Sequence, residues 1–524
     1  MFSWLSKRGG GKSSDAAHDY LSTLTGSPAA VLQQVADWLE DQFETGVARL
    51  ALLQAADDRL GSVRAEIETD LDVHRRLGTK HKLLLMYCER FARAYAHVAR
   101  KLPAGHADRP LAVLRAVHLF SRACRLVRMT GGEPAELRKA ALTLFQDAQQ
   151  QGNASLNLSP YPGWPKTSVK QELAVALLWD TAPFDTLTLE QTEYFERFVV
   201  SCGSQIILKT TPGSITTHAL LADGRIVTAE QAGDAGVLFF GHGPLAGMLA
   251  GILKLPDTAF MPDWAGNPLP HTDLQTVKTL ARRVTATWEG KRMARRSERV
   301  ERRDQVRVTG GFDNIRRAVA YAAYVRGGGQ LKAYDTREKV LTERMREVMV
   351  GLENNESQQL TPLEVLTAME GASGSNAVEA WTVHDSSAQG YSLAVPGFRA
   401  WLAVGSLLAV RETDRIDWSV AIVRRLFGPP HARHAGIEII PGTPVPVGIG
   451  DEALGASASV ADLRDAILIG REAECWLVTT FSCTPGSCCM VSGQHGRALY
   501  RITARSHGNA DYQLFSCVPV EKSA

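Results

Sequence analysis

The spacing of its apolar residues constrains this chain more than any other feature. Leu32, Val35, Leu39, Phe43, Val47, Leu50 and Leu53 recur at three and four, the stripe of a long amphipathic helix. Far downstream, Trp381 and Val383, then Tyr391, Leu393 and Val395, alternate with polar or small residues, the period of half-buried strands. A chain that reads first in helical and later in strand period holds several folds in series. Multidomain α+β is therefore the expected class.

Size agrees: 524 residues exceed one ordinary core and suggest about three to four domains. A net charge of +2 argues against wholesale nucleic-acid or membrane binding, so an electrostatic partner must be met by a local patch. No apolar run approaches the roughly eighteen residues of a membrane span. Residues Met1 to Arg8 lack the apolar core of a secretory signal, and the expected location is the cytoplasm. Eight cysteines in so long a chain do not make a disulfide framework, and Cys88, Cys124 and Cys202 sit among apolar residues as core fillers. Cys483, Cys488 and Cys489, with Cys475 and Cys517 distant, fit no paired zinc-ligand spacing, and no metal is assigned.

Taken in order, residues 1–15 read as a flexible leader. Gly9 to Ser14 mimic the end of a phosphate-binding loop, but Ser6 stands where its first glycine belongs. Residues 16–155 read as a helical domain that folds without the rest. Ser27-Pro28 gives a helix start, and further helices fall at about 63–102, 109–130 and 133–150. The Pro-rich stretch from Ser159 to Pro165 reads as a boundary. Residues 156–290 form a mixed α/β middle region: two helices in 167–201, then strands in 203–240 around the turn dipeptide Asp223-Gly224. Gly241-His242-Gly243 could cradle an anion at a helix start, a common pattern that carries little weight. From Thr276 to about Arg303 the pattern is helical, with Val277, Leu280, Val284 and Trp288 on one face. Its continuation carries Arg292, Arg295, Arg296, Arg299, Arg302 and Arg303.

Between the two strand-like runs near 390 stand Asp385, Ser387 and Gly390, in what reads as a polar turn. A carboxylate accepts two hydrogen bonds, a hydroxyl donates or accepts, and glycine lets backbone approach a ligand, so such groups can read the edge of a flat heterocycle. Upstream, Arg303 and Arg307 are four apart, and Val306 and Val308 flank the second in strand fashion; Arg302 is the spare. Downstream come three β-like runs, Val404–Arg411, Trp418–Leu426 and Ala435–Ile440.

In that order these segments resemble the PilZ domain, a small antiparallel β-barrel whose family binds cyclic di-GMP. The matching residues are Arg303 and Arg307 for R-x-x-x-R, then Asp385, Ser387 and Gly390 for D/N-x-S-x-x-G, with Gly405, Val423 and Gly436-Ile437-Glu438 following. The resemblance implies a PilZ-like barrel over 291–441 and a non-enzymatic cyclic di-GMP receptor. It implies that Arg303 and Arg307, with Arg302 beside them, hold phosphates and stack on guanine, while Asp385 and Ser387 read guanine edges and Gly390 keeps the turn open. No catalytic residue, metal or cofactor other than this ligand is implied.

The sequence departs from the family in three places. Seventy-seven residues separate Arg307 from Asp385, and the extra segment, about 312–372, reads as helical. Leu341, Met345, Val348 and Leu352 form a stripe in it, and Thr361-Pro362 starts a shorter helix. Val423-Arg424-Arg425 stands where the family strand ends in tryptophan. After the barrel, residues 442–524 read as an appended C-terminal β module, with strands near 475–481, 499–502 and 512–515.

The competing expectation is a degenerate PilZ-like scaffold that binds no nucleotide and works through protein contacts. Either way a protein partner of unknown identity would meet the helical regions, and a homo-oligomer stays open. An enzyme lacks support, since Gly371-Ala372-Ser373-Gly374-Ser375 does not complete a nucleophile elbow. Nucleic-acid binding through the 291–307 arginines is opposed by their interleaved acids.

Overall fold

The computed structural model describes residues 26–44, 50–70, 79–103, 105–256, 259, 274–290, 298–327, 361–372, 378–397, 399, 401–428, 432–451, 463–470, 475–493, 496–509 and 511–520. The leader at 1–15, Arg292, Arg295 and Arg296, and the stripe from Leu341 to Leu352 lie outside them. The chain forms two compact units, residues 1–293 and 294–524. No helix among the described residues is long and apolar enough to cross a membrane.

The first unit opens with α1 (Pro28–Glu44), α2 (Leu50–Asp70), α3 (Thr79–Lys101), α4 (Arg109–Met129) and α5 (Ala135–Gln150). Ser27 Oγ accepts the Ala30 N–H at 3.4 Å, the start the sequence signals. Helix α4 is the central one and is buried on nearly every face, including Arg115, His118, Ser121 and Arg125. Polar groups that deep require partners, and the network that supplies them ties α4 to its neighbours. Two further helices follow, α6 (Val169–Trp179) and α7 (Leu189–Ser201). The first is capped by the Ser168 side chain and the second by a reciprocal Thr188–Gln191 capping box.

The apolar core of the early helices continues past the Pro-rich stretch. Val169, Leu173 and Leu177 of α6 belong to it, as do Leu220, Leu238 and Phe240 of the sheet that follows. That sheet has the order β1-β4-β2-β3, from β1 (Ile207–Lys209), β2 (His218–Leu221), β3 (Ile226–Thr228) and β4 (Gly236–Gly241). The Asp223-Gly224 turn joins β2 to β3 with Gly224 at φ +84°, and a Cβ there would lie 2.0 Å from the Ala135 carbonyl oxygen. Similar close approaches account for Gly241 and Gly243, whose added Cβ atoms would meet Ile215 O and Gln205 O, so an anion is not needed to explain them. After α8 (Ala229–Ala232) and α9 (Leu245–Leu253) comes α10 (Leu274–Trp288). The helical pattern expected as far as Arg303 stops there. Gly290, at φ +65°, turns the chain out of the helix, and Val300–Glu301 is a strand.

His218 on β2 stacks on Phe240, with ring centroids 5.5 Å apart, and burial, followed by neighbouring His242, lowers its pKa to about 4. The unfolded chain binds that proton first, so the stabilising contribution is complete above pH 6.5 and is lost as pH falls toward 4. Between pH 7 and pH 5 we expect a loss of about 2 kcal/mol through this group. Urea titrations of wild type and His218→Gln at the two pH values check it: the variant should lose that much less, and parallel losses would refute the assignment.

The second unit holds two closed six-stranded antiparallel barrels with a helix between them. The first is built from β6 (Gln305–Gly310), β7 (Val378–Ser387), β8 (Gly390–Ala394), β9 (Leu407–Glu412), β10 (Ser419–Phe427) and β11 (His434–Ile439), in the order β7-β6-β9-β10-β11-β8. It closes because β7 pairs with both β6 and β8. Val306, Val308, Trp381, Val383, Leu393, Leu408, Val410, Ala421 and Val423 fill it. Strand β9 is buried on both faces, which is why Leu407 to Val410 read as an unbroken apolar run. Its outer residues Leu407 and Ala409 pack under α11 (Phe312–Arg326), the first helix of the insertion. The last is α12 (Pro362–Ala372), begun as Thr361-Pro362 predicts, with Thr361 and Glu364 capping each other.

The C-terminal β module is the second barrel, with the order β12-β13-β14-β17-β16-β15. Its strands are β12 (Pro444–Asp451), β13 (Arg464–Ile469), β14 (Cys475–Thr479), β15 (Cys488–Gly493), β16 (Gly496–Gly508) and β17 (Gln513–Pro519). Cys475, Cys489 and Cys517 lie in its apolar interior, and Cys475 faces Cys517 across a strand pair. Ile467, Ile469, Val478 and Leu514 on its outer face meet α11, and Tyr512 donates to the Gly405 carbonyl at 2.9 Å, joining the two barrels.

Candidate ligand site at the rim of the first barrel

Strand β5 (Val300–Glu301) and β6 pair along the same side of β7, so the two are one strand interrupted at Arg302–Asp304. The backbone ladder spans the interruption: Arg302 N–H donates to the His384 carbonyl at 3.1 Å, and Val383 N–H to the Asp304 carbonyl at 2.9 Å. Opposite it, β7 shifts register between Val383 and Asp385. Irregularity on both strands re-aims side chains at a barrel rim, and it brings Arg299, Arg302 and Arg303 beside His384 and Asp385.

The expected site residues therefore separate into two groups. Arg302, Arg303, Asp385, Ser387 and Gly390 come together at the rim. Arg307 does not join them: it lies opposite Ala380 and Arg411, five residues and roughly 16 Å of strand from Asp385. Its charge acts on Glu370 of α12 instead. Asp385 and Ser387 are the last residues of β7 and not of the loop, since the turn is Ala388-Gln389 alone. Ser387 Oγ closes that turn, accepting from Gln389 N–H and donating to Gly390 O, both at 3.4 Å. Gly390 has a packing reason: a Cβ there would sit 1.9 Å from the Ile437 carbonyl oxygen of β11.

Acids hold two of the rim arginines. Arg299 Nη1 reaches Asp385 Oδ1 at 2.5 Å. Arg302 binds Asp304, with Nε to Oδ1 at 2.8 Å, and Glu412, with Nη1 to Oε1 at 3.1 Å. Those bonds raise the Arg302 pKa, and the Arg302 bond holds Asp304 below the usual carboxylate range. Arg302 also lies 6.0 Å from the Tyr391 ring centroid, and the Tyr391 hydroxyl, pushed up by burial, donates to Glu412 at 3.3 Å. Arg303 is exposed, and among the described residues its guanidinium has no ion-pair partner.

A run of planar groups beside Asp385 escaped the sequence reading. His384 meets His434 edge to face at 5.5 Å, His434 stacks on Phe427 at 5.2 Å, and the Arg425 guanidinium covers Phe427 at 4.7 Å. Burial, then the neighbouring His384, lowers the His434 pKa. These residues come from β7, β10 and β11, and no local spacing announces their meeting. Arg424 of β10 is held by Glu438 at 2.6 Å.

Compared with known proteins, residues 15–211 match the family described as cyclic-di-GMP receptor FimW, N-terminal domain. The match covers less than half of the chain and lies within its first unit. No curated protein and no solved structure was found to match.

Proposed function

We propose that this chain is a non-enzymatic cyclic di-GMP receptor of the FimW kind, with a PilZ-like first barrel that takes the dinucleotide at its rim. The match of residues 15–211 to a domain of a cyclic-di-GMP receptor carries this reading. The rim supports it independently, because guanidinium groups, a carboxylate and a stacked aromatic run meet there. Cyclic di-GMP has two phosphates and two purines. Arginine supplies both a bidentate donor fork and a planar surface, and Asp385 supplies an acceptor for guanine N–H groups. Arg303 is the first contact in this scheme, being exposed, while Arg299 would exchange its bond to Asp385 for one to the ligand. The bound state would then signal to a protein partner through the helical regions.

Calorimetric titration of the full chain with cyclic di-GMP tests the proposal. Arg303→Ala should cost about 2 to 5 kcal/mol of binding, roughly 30-fold to several thousand-fold, since a desolvated phosphate would lose its partner. Arg303→Lys should resemble alanine, having neither fork nor stacking plane. Asp385→Ala should weaken binding as well, whereas Arg307→Ala should cost about 1 kcal/mol or less if its contribution is that of a distant charge. Equal losses at 303 and 307 would move the site up the barrel wall. One observation favours the alternative of a scaffold that binds no nucleotide: Arg299 and Arg302 are already satisfied by the protein's own acids. Wild type that releases no heat would leave that reading.

A further inference from the structure

The first unit contains a cavity of about 460 Å³, walled by α3, α4, α6, α7 and the Pro-rich stretch. That volume falls in the range of small-molecule sites. Its floor and sides include Leu84, Leu126, Met129 and Val175, and its lining reaches the surface at Trp164 and Val200, which are 38% and 47% exposed. Large apolar side chains left in water at a cavity mouth are suited to cover an apolar body.

The polar part of the wall is built and not incidental. His118 and Arg125 are more than nine-tenths buried. His118 Nδ1 lies 3.0 Å from Glu172 Oε2 and Arg125 Nη1 lies 2.5 Å from Glu196 Oε1, which fixes both side chains. The remaining Arg125 Nε, an N–H donor, is buried without a hydrogen-bond partner. Leaving such a donor unpaired is unfavourable, and a ligand acceptor that meets it gains accordingly.

Charge limits what that group is. The wall carries Arg122, Arg125, Lys166 and Arg197 against Glu172, Glu193 and Glu196, so cationic side chains outnumber carboxylates. Arg197 is held by Glu193 at 3.1 Å, as Arg125 is by Glu196. A lining richer in cations than in carboxylates selects an anionic group. We propose that this cavity binds a small amphiphilic monoanion, an apolar or aromatic body with one carboxylate or sulfonate. The site is in a different unit from the barrel rim and does not depend on the receptor reading.

The probe is 1-anilinonaphthalene-8-sulfonate, added to the full chain and followed by its fluorescence and by calorimetry. One saturable site per chain is expected. Val200→Trp places a large side chain at the mouth from a surface position and should weaken binding about tenfold or more with the thermal unfolding temperature unchanged. Arg125→Gln should weaken it by a similar factor, and Lys166→Gln, at an exposed position, by about two- to fivefold. The proposal is overturned by wild type with no saturable site, or by Val200→Trp binding the probe as wild type does. Stoichiometric displacement of the probe by cyclic di-GMP would overturn the monoanion assignment and place the dinucleotide here.

Discussion

Glu370→Ala is expected to lower the stability of the second unit by about 3 to 5 kcal/mol, because it strands a buried guanidinium. Arg411 on β9 is 1% exposed, and its Nη2 lies 3.0 and 2.9 Å from the two Glu370 carboxylate oxygens. Arg411 Nη1 donates to the Arg415 carbonyl at 2.7 Å, and the guanidinium lies 5.3 Å from the Trp418 ring centroid. Burial pushes the Glu370 pKa up although Arg411, and after it Arg307, pull it down. Desolvation thus outweighs attraction at this carboxylate, and the pair as a whole gives little net stability. The joint replacement Arg411→Met with Glu370→Leu should therefore recover most of the loss. Denaturant unfolding of the single and double variants decides it, and a single variant within about 1 kcal/mol of wild type would show that water reaches the site. The pair fastens α12, the end of the long insertion, onto the barrel wall where Arg307 lies.

The barrel strands were legible in the sequence for a physical reason. Trp381 to Val395 alternate because one face of β7 and β8 fills the barrel, and Leu407 to Val410 do not because β9 is covered on both sides. The second barrel was harder to see. Pro444 and Pro446 in β12 argue against a strand, and β15 begins with the cysteines that invite a metal reading, so closure was not visible although β14, β16 and β17 were. The arginines show another limit. A segment that is polar all round has no apolar period, so nothing in the sequence separates a helix continuing from Trp288 from the strand at Val300. The break at Arg302–Asp304, which parts Arg303 from Arg307, is a ladder irregularity that exists only against β7. Proline in turn shows where a helix stops and not where a domain does. Residues 159–165 interrupt the helices, yet Arg115 Nε donates to the Pro160 carbonyl at 2.7 Å and the core runs on into α6.

That hydrogen bond belongs to a buried network whose centre gives the second large expected effect. Asp57 of α2 is fully buried and accepts from the hydroxyls of Tyr87 and Tyr95, the latter at 2.9 Å. Arg115 and Arg64, also buried, approach it at 3.7 and 3.9 Å. Arg115 goes on to the Tyr95 hydroxyl at 2.9 Å and to Asp58 at 3.0 Å, while Arg64 lies over the rings of Tyr161 and Trp164 at 4.5 and 5.4 Å. One carboxylate therefore holds α2, α3, α4 and the Pro-rich stretch together. Asp57→Ala would leave two guanidinium groups without their shared counter-charge and two tyrosine hydroxyls without an acceptor, and should cost about 3 to 5 kcal/mol. Asp57→Asn keeps an acceptor but not the charge, so its loss should be smaller. Asp223→Ala removes an exposed carboxylate at a turn and serves as the control, where a much smaller change is expected. Denaturant unfolding of the full chain, followed by far-ultraviolet circular dichroism, measures the three variants. If Asp57→Ala shifted the curve no more than Asp223→Ala, the helices and the Pro-rich stretch would be held by the apolar core alone.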